Sequence, residues 1–151
     1  MNIIPFTRLT LAVCLLTLFL SGCSSLPAEY TIVREKDSGI QIPVKEVNDG
    51  MVHFFTYKKS GKRINFFVRT DGNGELSTYF DACLTCHKHK KGYRKEGTDL
   101  ICNECSMHFR LADQKWDNTA GCSPILLKSS ISGGQIIIDK EHLEKGIRLF
   151  S

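Results

Sequence analysis

The stretch RINFFVRTDGNGELSTYF, residues 63–80, decides the fold class predicted for this chain. Its first half, Arg63–Arg69, is rich in β-branched and aromatic residues, which favour an extended strand, and Glu75–Phe80 continues in the same way. Between them, Asp71-Gly72-Asn73-Gly74 has the composition of a tight turn. The stretch therefore predicts a β-hairpin.

Further short strands are predicted on both sides of this hairpin. Met51–Tyr57 precedes it across a loop at residues 58–62, which makes the three strands a β-meander. Asp139 can cap a short helix that runs to about Lys145. Other strands, separated by turn signals, are predicted at Tyr30–Arg34, Ile40–Val47, Ile125–Lys128 and Gln135–Ile138. The expected fold is mainly β, a small α+β arrangement in one domain over residues 30–151.

The N-terminal segment has the features of an export signal. A basic start, Met1–Arg8, is followed by an apolar run, Leu9–Leu20, which is shorter than the roughly 20 residues that a membrane-spanning helix needs. The sequence Leu20-Ser-Gly-Cys23 resembles the bacterial lipobox. We therefore expect a signal peptide at residues 1–22 and a tether at 23–29, with Cys23 acylated, for example by palmitate. The predicted location is the cell envelope, anchored to a membrane and facing the periplasm or the exterior.

Two Cys-x-x-Cys pairs form the strongest chemical signal in the chain. Of seven cysteines, Cys14 lies in the signal segment and Cys23 is the anchor, so five remain. Cys83 and Cys86 are separated from Cys102 and Cys105 by fifteen residues, and Glu96-Gly97 can turn the chain between them. This spacing is typical of four thiolates around one metal on a zinc-ribbon-like hairpin. The expected metal ligands are Cys83, Cys86, Cys102 and Cys105.

The roles of Cys122, the fifth cysteine, and of His87, which follows the first pair, have more than one interpretation. Cys122 lies in a Gly-Cys-Ser-Pro turn, where it can be an additional ligand or a buried apolar residue. Cys83-x-x-Cys86-His87 is also the attachment signature of c-type haem. That interpretation would leave three cysteines unexplained. The candidates for a second axial haem ligand are His53, His89, Met107 and His108.

Two other uses of the thiols are consistent with an exported protein. Disulfides can form in that compartment, but five cysteines cannot all pair, and a Cys-x-x-Cys disulfide is typical of a thiol-redox protein. Copper binding through Cys105, Met107 and His108 is a weaker alternative.

The basic residues between the cysteine pairs fit a negatively charged thiolate site better than a nucleic-acid partner. The net charge is +4, and five lysine and arginine residues crowd into the region between the two cysteine pairs. Cations near a thiolate site offset its negative charge. No nucleic-acid partner is expected for an exported protein. No Ser-His-Asp set, paired carboxylates or phosphate loop is recognised, so an enzyme is not predicted. The basic residues are Lys88, Lys90, Lys91, Arg94 and Lys95, with His87 and His89 among them.

Several motifs follow one another in a defined order: Arg63-Ile-Asn-Phe-Phe-Val-Arg69, Asp71-Gly-Asn-Gly74, Phe80-Asp-Ala-Cys83, Lys91-Gly-Tyr-Arg94, Glu96-Gly97, Cys102-Asn-x-Cys105, Gly121-Cys-Ser-Pro124 and Leu143-Glu-x-Gly146. Over roughly residues 50–151, this order resembles that of the FtrD-like membrane iron-sulfur containing proteins.

The resemblance implies a bacterial envelope protein whose cysteines bind iron or an iron-sulfur cluster. It also implies support of iron transport or electron transfer next to an envelope partner such as an iron permease. The ligands it implies are the two Cys-x-x-Cys pairs, and Cys122 matches the family's Gly-Cys-x-Pro cysteine. Zinc and haem c remain the alternative cofactors. This chain departs from the family by having a histidine after the first pair and a predicted lipid anchor in place of membrane helices.

Overall fold

A computed structural model describes residues 28–37, 39–114, 116 and 121–151. The predicted signal peptide and Cys23 lie outside these residues. The strands in chain order are β1 (Thr31–Val33), β2 (Gly39–Pro43), β3 (Val52–Lys59), β4 (Lys62–Thr70), β5 (Leu76–Cys83), β6 (Tyr93–Glu96), β7 (Asp99–Cys102), β8 (His108–Arg110), β9 (Pro124–Leu126), β10 (Ser130–Ser132) and β11 (Gln135–Asp139). Helix α1 covers Lys140–Lys145, and 3₁₀ turns lie at Val44–Glu46, His87–His89 and Gly146–Leu149.

These strands form one five-stranded and two three-stranded sheets. The large sheet has the order β1-β3-β4-β5-β9, the second β10-β11-β2 and the third β6-β7-β8. Only β1, which is parallel to β3, departs from antiparallel pairing among these described strands. The prediction of a mainly β fold with a meander is confirmed. Among the described residues, no helix is long and apolar enough to cross a membrane.

The two turns of the meander have the backbone conformation and hydrogen bonds that tight hairpins require. Ser60 and Gly61, with φ of 48° and 76°, form the two-residue connection between β3 and β4. Positive φ at both positions matches the twist of a tight hairpin. In the next turn the Asp71 carboxylate accepts backbone N–H bonds from Asn73 and Glu75 at 2.8 and 2.9 Å. The predicted turn residues are therefore the ones that close both hairpins.

Alternate residues of the meander build two cores, one on each face of the large sheet. Phe66 pairs with both Phe55 and Phe80 on the first face, and the rings of Phe55 and Phe66 stack with centroids 5.4 Å apart. This face packs on β2, β11 and Leu143 of the helix. On the second face, Phe67 stacks on Tyr79 with centroids 5.5 Å apart. The β6-β7-β8 sheet, which carries the second cysteine pair, covers this second face.

Several details differ from the sequence prediction, and three of them have a clear physical reason. The strand predicted at Ile40–Val47 ends at Pro43, because proline has no N–H to donate and its φ of −60° leads into the 3₁₀ turn. Strand β10 was not predicted, because Ser-Ile-Ser is fully exposed and has no apolar face. Asp139 precedes the helix as expected, but its side chain makes no capping hydrogen bond, and its carboxylate lies 3.4 Å from His142.

Candidate metal centre

Three separate segments bring the five cysteines to one place. Cys83 is the last residue of β5 and Cys102 is the last residue of β7, so each Cys-x-x-Cys pair begins at a strand end and continues through a turn. Cys122 lies two residues before β9, the neighbour of β5. The backbone N–H and the hydroxyl of Thr85 both donate to the Gly121 carbonyl, at 3.1 and 2.7 Å. These bonds join the Cys122 segment to the first pair.

The sulfur atoms form two overlapping groups that share Cys86. Cys83, Cys86 and Cys122 form one group, and Cys86, Cys102 and Cys105 form the other; within each group the sulfurs lie within 4.8 Å of one another. The Cys122 sulfur lies 2.9 Å from that of Cys105 and 3.6 Å from that of Cys86. These five described cysteines are all free of disulfides. In a tetrahedral site with metal–sulfur bonds of about 2.3 Å, sulfurs lie about 3.8 Å apart, so the groups have the size that a metal requires.

Backbone donors point at the sulfurs in both turns. The N–H of Cys86 donates to the Cys83 sulfur at 2.8 Å. Burial raises the pKa of Cys102, and hydrogen bonds from the backbone of Cys105 and Glu104 oppose this rise in part. Such bonds stabilise a thiolate over a thiol. The turns therefore prepare both buried sulfurs to hold a cation.

The clustered cysteines differ in solvent exposure, and three of them differ in the direction in which their pKa is shifted. Cys83 and Cys102 are each 2% exposed, Cys86 and Cys122 are half-buried, and Cys105 is exposed. Burial, followed by the neighbouring thiols, raises the pKa of Cys86, while the hydrogen bond to Cys105 and then burial raise that of Cys122 to about 11. At Cys105 burial acts to raise the pKa, but the hydrogen bonds with Cys122, the Met107 backbone and Cys102 outweigh burial and lower it. Cys105 therefore ionises most readily among these three, and a bound metal must displace protons from its neighbours.

Tyr93 and Gly92 position the second pair against the meander. The Tyr93 hydroxyl donates to the Cys122 carbonyl at 2.6 Å, and its backbone N–H donates to the Asp81 carboxylate at 2.7 Å. Gly92 has φ of 60°, and a Cβ there would overlap the Asp81 carboxylate. Asp81 can pack this closely only against a glycine. Position 92 thus sets the distance between β5 and the second cysteine pair.

Asp81 is a buried acid that the sequence did not single out for a role. It is 3% exposed and accepts hydrogen bonds from the Tyr30 hydroxyl and the Tyr93 backbone. Burial raises its pKa to about 6, against the smaller lowering effect of those two donors. The only sequence sign was its place in the Phe80-Asp81-Ala82-Cys83 motif. Tyr30 lies 51 residues away in sequence, so no local pattern could reveal the pair.

This raised pKa predicts a specific pH dependence. The native state binds the Asp81 proton more tightly than the unfolded state, whose pKa is near 3.8, so stability falls as pH rises from about 4 to about 6. We expect the wild type to lose about 3 kcal/mol over this range relative to Asp81→Asn. Denaturant unfolding of both proteins at several pH values measures this difference, and any acid loss of metal affects both. Parallel curves for the two proteins would contradict the prediction.

The remaining candidate ligands belong to neither of the two sulfur groups. The His87 ring nitrogen Nδ1 lies 3.1 and 3.0 Å from the carbonyls of Cys83 and Leu84, which fixes the ring beside the first pair. His53 pairs with Asp49 at 2.8 Å, and His108 pairs with Asp99 at 3.1 Å. Met107 is exposed. The rings of His53 and His108 are thus engaged by carboxylates.

The basic residues between the pairs have different partners. Lys91 pairs with Glu104 at 2.7 Å, Arg94 pairs with Glu96 at 3.3 Å, and the Lys95 ammonium contacts the Met51 sulfur at 2.9 Å. A narrow cavity of about 10 Å³ is lined by Lys90 and Lys91 together with three of the cysteines, Cys83, Cys86 and Cys102. At least part of the basic segment therefore lies directly beside the thiols.

Comparison with known proteins identifies one family. A family model described as membrane iron-sulfur containing protein FtrD-like matches residues 47–150. No curated protein and no solved structure matches the chain. The matched residues include all five clustered cysteines, Asp81, Gly92 and Tyr93.

Proposed function

The chain belongs to the FtrD-like family of membrane iron-sulfur containing proteins, and from this membership we propose a lipid-anchored envelope protein whose cysteines bind iron. The iron is held as an iron-sulfur cluster or as a thiolate-bound ion. The protein passes electrons in support of iron transport. The anchor is the acyl chain on Cys23, and the folded part faces the periplasm or the exterior.

The observation that carries this proposal is the convergence of five free thiols from three segments. Thiolates are soft ligands that suit iron-sulfur clusters, iron and zinc. A donor set of this kind has no oxygen-rich character, so magnesium and calcium do not fit it. The residues present therefore fit the group that the family name implies.

The surrounding residues have defined tasks in such a site. A bound iron centre would supply one-electron redox chemistry. Cys83 and Cys102 would anchor it from the buried side, where water has little access, and Cys86 and Cys105 would complete the pairs. The backbone N–H bonds to sulfur, with Lys90 and Lys91 alongside, would stabilise the negative charge of the thiolates. Such contacts, together with solvent exposure, also set the potential of an iron-thiolate centre.

The test is a measurement of metal, acid-labile sulfide and visible absorption on the purified protein. The protein should be made in a bacterial envelope with intact cytochrome maturation, so that every candidate cofactor can be inserted. We expect iron with sulfur-to-metal charge-transfer bands. One colourless zinc per chain would overturn the redox proposal and leave a structural site. A sharp Soret band would show haem attached at the first pair.

Replacement of His87 separates the iron-thiolate and haem interpretations. Since His87 belongs to neither sulfur group, His87→Ala should keep the metal content within about 10% of wild type if the thiolates hold the metal. Metal analysis and the visible spectrum measure this directly. Loss of the whole chromophore in this variant would favour haem.

A thiol-redox protein is the second candidate, because the sulfurs of Cys105 and Cys122 are only 2.9 Å apart and the Cys105 thiol has a lowered pKa. Trapping a mixed disulfide on the cluster cysteines would support it. Protection of at least four thiols from alkylation in the metal-loaded protein, and their modification after unfolding with a chelator, would support the metal site instead.

A further inference from the structure

The solvent side of the cysteine cluster has an unusual combination of side chains. Cys105 is exposed, and two large apolar residues beside clustered cysteines are exposed as well: Leu84 by 45% and Met107 by 43%. Lys88 and Lys90 are exposed in the 3₁₀ turn that follows the first pair and at its end. We call these five residues the cluster face: Leu84, Lys88, Lys90, Cys105 and Met107.

Among the described residues, no ion pair neutralises the lysines of the cluster face. Within the described part of the chain, neither Lys88 nor Lys90 has a carboxylate partner within 4.0 Å. The nearby carboxylate of Glu104 is already engaged by Lys91 at 2.7 Å and lies 3.8 Å from His89. Lys90 also lines the cavity that reaches three of the thiols. Positive charge is thus concentrated beside the cluster, on the side of Cys83, Cys86 and Cys102.

We propose that the cluster face is the docking surface for a small acidic electron-transfer protein, an inference that rests on the proposed redox function. Protein interfaces combine exposed apolar side chains with charged residues, and the cluster face contains both kinds. Charge complementarity steers such partners into contact and raises association rates by about 10- to 1000-fold. Electron-transfer partners form small, weak contacts, for which a face of this size suffices.

An acidic protein fits this face better than a membrane surface does. Anionic lipids attract lysines too, but a bilayer against the cluster face would cover Cys105, the sulfur closest to solvent. Two separate apolar side chains also give little area for insertion among acyl chains. A docked protein, in contrast, places its own cofactor next to the cluster. One electron then leaves the reduced member of the pair and enters the oxidised member, and no bond or proton changes place.

The experiment uses a flavodoxin, a small acidic electron-transfer flavoprotein, as the probe. It is mixed with the purified metal-loaded protein and joined by a carbodiimide, which links lysines to carboxylates in direct contact, and mass spectrometry locates the links. We expect links at Lys88 and Lys90 that disappear at high salt. Stopped-flow oxidation of the reduced flavodoxin provides a second readout.

Matched variants make the test specific. The variant Lys88→Glu with Lys90→Asn should lower both the cross-link yield and the electron-transfer rate about tenfold. Asparagine is chosen at position 90 because this residue has φ of 55°, which asparagine tolerates. The control is Lys45→Glu with Lys128→Asn, which changes the charge equally at two exposed lysines outside the cluster face, and it should behave as wild type.

Each outcome has a defined meaning. Links spread evenly over Lys45 and Lys128, or full activity of the cluster-face variant, would overturn the docking surface. So would binding of the lysines to phosphatidylglycerol vesicles without any link to flavodoxin. An iron-bearing protein that shows these results disproves only the docking surface. A protein that contains zinc alone disproves the proposed redox function, whatever the cross-links show.

Discussion

Replacing Cys102 with serine should empty the metal site and lower the free energy of unfolding by at least about 4 kcal/mol. Cys102 is buried at the end of β7, and its sulfur lies within 4.8 Å of those of Cys86 and Cys105. A structural metal contributes about 10–16 kcal/mol of binding free energy, and this energy stabilises only the folded state. Serine offers a harder oxygen ligand at shorter reach, so it cannot restore the site.

Metal analysis and thermal unfolding of Cys102→Ser check this result. The control is the same pair of proteins after treatment with a chelator. If metal loss causes the effect, the two chelator-treated proteins should unfold at similar temperatures, because only the small difference between cysteine and serine remains. Unchanged metal content together with an unchanged melting temperature would refute the ligand role of Cys102.

Replacing Arg69 with methionine should cost about 4 kcal/mol without removing a ligand. The Arg69 side chain is completely buried and donates to the carbonyls of Leu111, Asp113 and Gln114, at 2.8, 2.6 and 3.1 Å. Its guanidinium also lies 4.1 Å from the centre of the Trp116 ring. Methionine fills much of the space but leaves three carbonyls without their donors and removes the cation–π contact.

Urea unfolding followed by fluorescence of Trp116, the single tryptophan of the chain, measures this loss. The control is Arg34→Met, because Arg34 is exposed, and we expect it to change stability by less than about 0.5 kcal/mol. Arg69→Lys should recover less than half of the loss, since one ammonium cannot reproduce the planar fork of donors. Wild-type stability in Arg69→Met would show that the three bonds contribute little.

The fold was predictable where the local pattern and the global structure agree. Residues 63–80 contain two segments rich in β-branched and aromatic residues with turn residues between them, and the structure contains the hairpin that this pattern predicts. The turn residue Gly97, with φ of 58°, also lies between β6 and β7 as expected. Strand β10 escaped prediction because no apolar side chain of it is buried; its order comes entirely from pairing with β11.

Only those parts of the metal site that are formed by neighbouring residues in the sequence were predictable. Each Cys-x-x-Cys pair is a feature of four adjacent residues, so spacing alone revealed it. The position of Cys122 depends on the pairing of β9 with β5 and on the bond of Thr85 to Gly121, which no spacing rule contains. Arg69 looked like an ordinary strand residue, because its partners begin 42 residues later in the chain.

The structure explains why two positions of the family motifs, 92 and 146, are occupied by glycine. A Cβ at Gly146 would overlap the Phe80 ring, as one at Gly92 would overlap Asp81. Both neighbours, Phe80 and Asp81, are adjacent residues of β5, and their side chains meet glycines on separate elements. The sequence shows only that these glycines belong to the motifs. Their packing against β5 explains why no side chain fits there.

Because the large sheet has a different core on each face, the substitutions tolerated along β4 should also differ between the two faces. Along β4, Ile64, Phe66 and Val68 belong to an ordinary apolar core, whereas Phe67 packs in the core that also contains Cys83 and Cys102. Residues on the first face can exchange for others of similar volume and apolarity. Those on the second face also hold the cysteines in position, so their tolerance depends on the cofactor. Substitutions accepted by this strand should therefore alternate with a period of two, permissive on one side and restricted on the other.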